Sequence, residues 1–171
     1  TDWYSELYRD NVFSQEHNAS VSGGNGNVNY FASIGYLDYN GLLRHGHDEQ
    51  KRYNAAGKFS AKLASWVTFN YSARFVRTDT DRPNRFGNGF YEMIGRQTWP
   101  NLPVYDENGY YFNSNADTPA MQLALGGIRT KQRDQLYQQA AVIIEPIKNW
   151  FTHVEFNYST DNDEVRQTNL P

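Results

Sequence analysis

The sequence predicts an all-β fold, an antiparallel up-and-down meander of about six long strands. Three observations carry this. Apolar residues recur at every second position in one stretch after another. The stretches run to about 10–12 residues, where strands of globular proteins average about 5–6. The connections between them alternate between short and long.

Successive side chains of a strand point to opposite faces, so each stretch carries an apolar row and a polar row. The first, Phe13 to Ser22, sets Ala19 and Val21 against Asn18, Ser20 and Ser22. The second follows the turn Gly23-Gly24-Asn25-Gly26-Asn27, with Val28, Tyr30, Ala32, Ile34 and Tyr36 against Asn29, Ser33 and Gly35. The third, Arg52 to Lys62, is the most regular: Tyr53, Ala55, Gly57, Phe59, Ala61 and Leu63 against Arg52, Asn54, Lys58, Ser60 and Lys62. The fourth, Trp66 to Arg77, sets Val67, Phe69, Tyr71, Ala73 and Phe75 against Thr68, Asn70, Ser72 and Arg74. The fifth, Asp134 to Glu145, gathers Leu136, Ala140, Val142 and Ile144 on one face. The sixth sets Thr152, Val154, Phe156 and Tyr158 against His153, Glu155, Asn157 and Ser159.

About twelve residues, at roughly 3.3 Å each and tilted near 45°, climb about 28 Å, the height of the apolar band of a membrane barrel. The short connections are 23–27, Ala64-Ser65 and 145–149; the long ones are 39–51 and about 80–133. Tight turns at one end and extended loops at the other are the barrel rhythm. A structureless loop of roughly fifty residues is foreign to a compact domain. Trp66, Trp150 and Phe151 mark one end of the strands, and Tyr36, Tyr53, Phe75 and Tyr137 the other. They read either as two interfacial girdles or as cross-strand pairs. Within the long loop, Gly89 to Trp99 reads as a short helix stopped by Pro100, and Asp106-Glu107-Asn108-Gly109 as the turn of a small hairpin. Asp117-Thr118-Pro119 reads as a helix start and Gly126-Gly127 as its stop.

Composition narrows the functions. The 171 residues carry a net charge of −3, with no basic surplus for nucleic acid. The absence of cysteine excludes disulfides, thiolate zinc sites and thiol nucleophiles. Mean hydropathy is low, at −0.80, yet 16% of residues are aromatic, which argues against disorder. No run of about 18 apolar residues offers a spanning helix, a test that strands escape. The chain opens on Thr1 without a Met and closes on Leu170-Pro171, and the expectation is a fragment of a longer protein.

Several stretches together resemble one family, the SusC/RagA-like TonB-dependent transporters of the Bacteroidetes outer membrane. They are TDWYSELYR at 1–9, QEHNASVSGGNGNVNYFASIGYLDYNGLL at 15–43, KRYN at 51–54 and LPVYDENGYY at 102–111, of which HNASVSGG is the most specific. The resemblance implies a transmembrane β-barrel of about 22 strands, closed by an N-terminal plug domain. It also implies a SusD-like surface lipoprotein as a hinged lid, and import of oligosaccharides or peptides driven by TonB–ExbB–ExbD. Residues 1–171 are then part of one barrel domain, without the plug, the TonB box or the remaining strands. The apolar rows are expected to meet outer-membrane lipid. Arg52, Asn54, Lys58, Lys62, Asn70 and Arg74 are the candidate lumen-facing residues.

The rings of Tyr91, Trp99, Tyr105, Tyr110 and Tyr111 are the candidate ligand- or lid-contact residues. Aromatic faces stack on the C–H faces of sugars, and interfaces also favour Tyr and Trp. His45-Gly46-His47-Asp48 supplies too few ligands for a closed metal site and reads as a solvated loop. His17 and His153 are expected on the lumen face or near turns. The acidic pairs Asp48/Glu49 and Asp161/Asp163 lack calcium-loop spacing. With no nucleophile elbow, phosphate loop or dinucleotide fingerprint, neither a catalytic residue nor a metal or other cofactor is expected. The alternative is a secreted all-β carbohydrate-binding module. It would be soluble as this chain alone, whereas a barrel segment with two open edges aggregates or needs detergent.

Overall fold

The computed structural model describes residues 1–113 and 117–169, the side chains of 96 and 97 apart. The strands β1 (Ser14–Gly24), β2 (Val28–Asn40), β3 (Glu49–Ala64), β4 (Val67–Pro83), β5 (Ile128–Ile147) and β6 (Trp150–Gln167) form one antiparallel sheet in sequence order. Each strand pairs with its neighbour in the chain, which makes the sheet a meander.

The register aligns the alternating rows across all the strands they reach. Tyr30, Phe59, Tyr71, Ala140 and Phe156 are directly opposite one another from β2 to β6. One position on, Phe31, Lys58, Ser72, Gln139 and Asn157 form the next row on the other face. The two unlike faces read from single strands are therefore two unlike faces of one sheet.

The strands are longer than the alternation marks, reaching 17 residues in β4, 20 in β5 and 18 in β6. The extra length lies at the end away from the tight turns, in runs such as Thr78–Arg82 and Arg129–Arg133. Both faces are polar there, so no periodicity signals the strand. The long connections shrink accordingly to 41–48 and 84–127. Of the latter, 114–116 lie outside the described residues, as does the chain end at 170–171.

Little of the sheet is buried; β6 is exposed along its whole length, with its outer edge unpaired among the described residues. The hydrophobic core lies instead beyond the loop end of the strands. There α1 (Trp3–Leu7), α2 (Asn88–Glu92) with the π-helical turn Met93–Gln97, and α3 (Pro119–Leu125) meet. Trp3, Leu7, Leu43, Phe90, Met93, Ile94, Ala120 and Leu123 form that core. Local chemistry explains the short helices. Asp2 caps α1, its carboxylate accepting from the amides of Tyr4 and Ser5 at 3.1 and 3.3 Å. Thr118 caps α3 by accepting from the Met121 amide at 3.4 Å, with Pro119 in the first turn and Gly126 at the end. The start and stop read from the sequence are those observed.

Candidate functional site

The polar face of the sheet carries the six charged and amide residues named from the sequence. Arg52, Asn54, Lys58 and Lys62 share one parity on β3, and the register places Asn70 and Arg74 of β4 on the same face. Phe31 joins them, opposite Lys58, a ring that interrupts an otherwise polar row. A concave pocket of about 460 Å³ opens on this face, lined by Phe31, Lys58, Asn70, Gln139, His153 and Glu155 among others. Its polar groups are spread over five strands and converge on no nucleophile–base pair. The apolar face is a continuous exposed surface that includes Ile34, Tyr53, Phe59, Val154 and Phe156.

One expectation for a single residue is corrected. His17 lies on the face of Ala19 and Val21, opposite Tyr36, so it caps the outer end of the apolar row instead of joining the polar one. His153 is on the polar face, opposite Ile143. Among the end-marking aromatics, Tyr36 and Tyr53 pair across strands with ring centroids 5.2 Å apart. Tyr137, by contrast, sits on the polar face opposite Arg74.

The loop end is a built rim. Segment 7–9 runs antiparallel to 42–44, with the Arg44 amide donating to Leu7 O and the Arg9 amide to Leu42 O, both at 2.8 Å. The indole Nε1 of Trp3 donates to Trp99 O at 3.1 Å and Thr1 Oγ1 to Leu102 O at 2.6 Å. His45 is buried, not solvated as the sequence suggests. Its Nε2 lies 3.1 Å from Glu6 Oε1 and its Nδ1 3.2 Å from Tyr111 Oη. The glycine after it is required by geometry: Gly46 has φ +79°, and a Cβ there would stand 2.5 Å from Leu123 O. This close approach lets the 41–48 loop seat against α3.

The five rings of the long loop divide. Trp99 and Tyr110 project outward, 66% and 73% exposed. Tyr105 is half-exposed and packs on Tyr111 at 5.1 Å. Tyr111 faces inward to His45, and burial, followed by the neighbouring Tyr105 hydroxyl, pushes its phenol above the usual range. Tyr91 packs against Phe86 and Phe90 and lies beside Tyr8, whose hydroxyl is pushed up by burial and then by Tyr91. The hairpin around Asp106 forms as expected, bridged between Tyr105 and Tyr111. The sequence reading misses the contribution of α1, although Asp2 followed by Trp3 and Leu7 at helical spacing is its signal.

The six strands thus form one open antiparallel meander, with tight turns at one end and a packed cluster of loops and short helices at the other. Comparison with known proteins gives the chain its relatives. No family model matches the chain. It is 28% identical over 127 residues to the TonB-dependent receptor SusC of Bacteroides thetaiotaomicron, a match covering 69% of this chain and 12% of that protein. It superposes on a chain of the RagAB peptide importer in the closed-closed state with a TM-score of 0.79 and 22% identity, covering 99% of this chain and 20% of that one. A second structure, of the RagAB peptide transporter, gives 0.74 and 22%, covering 96% and 19%. The chain therefore spans 12% of its curated relative and about a fifth of the solved ones. These findings support the resemblance stated from the motifs: the chain is similar to a segment of a SusC/RagA-like TonB-dependent transporter.

Proposed function

We propose that this chain forms a sector of the wall and outer rim of an outer-membrane β-barrel that imports oligosaccharides or peptides, energised through TonB–ExbB–ExbD. The observation that carries the reading is the superposition of nearly the whole chain on one sector of a peptide importer, together with the sequence match to SusC. In this reading the apolar face meets lipid. The polar face, with Arg52, Asn54, Lys58, Lys62, Asn70 and Arg74, meets the wet lumen and the plug. Charge is tolerated there because water and plug residues supply partners, whereas lysine at mid-depth on the lipid face costs about 2–4 kcal/mol. The rim rings, Trp99 and Tyr110 foremost, are contacts for a SusD-like lid lipoprotein or for substrate. They are exposed, amphipathic and held on a packed base, the chemistry of an interface. No catalytic role is proposed.

The test is uptake by cells making the full-length protein, with labelled oligosaccharide and oligopeptide pools supplied in parallel. Uptake of one pool that is lost on deletion of TonB is the expected result. TonB-independent uptake, or none of either class, overturns the reading.

A further inference from the structure

We propose that His45 is a positioning residue, a pin that holds the hairpin 102–112 and its exposed rings as a fixed platform. The importance of that platform rests on the reading of the rim as a docking surface; the pin itself rests on geometry. The His45 ring is 8% exposed and contacts two elements distant in sequence, Glu6 on α1 and Tyr111 on the hairpin. Both contacts are satisfied together when Tyr111 Oη donates to Nδ1 and Nε2–H donates to the Glu6 carboxylate. Removing either partner leaves a buried nitrogen unsatisfied, so the network is kept whole or lost together.

The hairpin is itself stiff. The Asp106 amide donates to Tyr110 O at 2.8 Å and the Phe112 amide to Val104 O at 2.9 Å. Asp106 Oδ1 accepts from the amides of Asn108 and Tyr110, both at 2.9 Å. Its base is tied down by Thr1 and Trp3, through Leu102 O and Trp99 O. His45 fixes the returning arm through Tyr111, and the Tyr105 ring rests on Tyr111. A platform set in advance loses little conformational entropy when a partner docks.

The experiment uses the full-length protein, with hydrogen exchange at the Asp106 and Phe112 amides and binding of its co-purified surface lipoprotein as separate readouts. His45→Ala is expected to speed exchange at both amides about tenfold, with β3 and β4 unchanged, and to weaken lipoprotein binding. His45→Gln restores both, since a carboxamide can donate to Glu6 and accept from Tyr111. Tyr111→Phe, which removes one hydroxyl only, reproduces the local rise and guards against general unfolding of the alanine variant. Unchanged hairpin exchange in both His45→Ala and Tyr111→Phe overturns the pin. Faster exchange with unaltered lipoprotein binding upholds the pin and overturns the docking role of the rim.

Discussion

Ala140→Lys is the sharpest single perturbation of the two-faced sheet. Ala140 lies in the row of Tyr30, Phe59, Tyr71 and Phe156, on the apolar face. On β3 that row falls midway between Tyr53 and the turn at Ser65, a span of about twelve residues climbing roughly 28 Å. The alanine methyl is small and half-buried, so its replacement removes little packing. With the apolar face against lipid, as proposed, the new ammonium would sit at mid-depth, where lysine on a lipid-facing strand costs about 2–4 kcal/mol. At 1.4 kcal/mol per tenfold, that lowers the folded-to-unfolded ratio about 30- to 700-fold. Gln139→Lys, one residue away on the polar face between Ser72 and Asn157, is the control, with an expected change within about 0.5 kcal/mol. Urea titration of the full-length barrel refolded into vesicles measures both. Equal losses, or a larger loss at position 139, would refute the assignment of faces.

Two further outcomes follow from the rim. Leu123→Ala, at a side chain 1% exposed, should cost about 2–5 kcal/mol of local stability through the cavity it leaves. Limited proteolysis should then cut within 84–127 while the strands resist. Asp2 is held below the ordinary aspartate range by the Ser5 hydroxyl and then the Ser5 amide. Its capping contribution is therefore present above the unfolded value and lost as pH falls through the lower folded one. Exchange of the Tyr4 and Ser5 amides, corrected for intrinsic rates, should rise in that acid window, and Asp2→Asn should abolish the pH dependence.

The strands were legible because one face is apolar over a long span and alternation has no other source. Their true lengths were not, because beyond Phe75 and Leu136 both faces are polar and strand and loop look alike in sequence. Thr118-Pro119 and Gly126 announced α3, since capping chemistry is local. The rim was hidden for the opposite reason. The environment of His45 is set by Glu6 and Tyr111, 39 and 66 residues away, and no spacing rule joins them. Phe31 and Tyr137 show a further limit, since a ring on the polar row is permitted wherever a pocket or neighbour receives it.

In the proposed function the sheet separates lipid from a water-filled lumen. Single cysteines at 57, 58, 59 and 60 of the full-length protein, in a chain with no native cysteine in this segment, test it directly. A water-soluble thiol reagent applied to outer membranes should label positions 58 and 60 and spare 57 and 59. Preferential labelling of 57 and 59, or equal labelling of all four, would contradict the account.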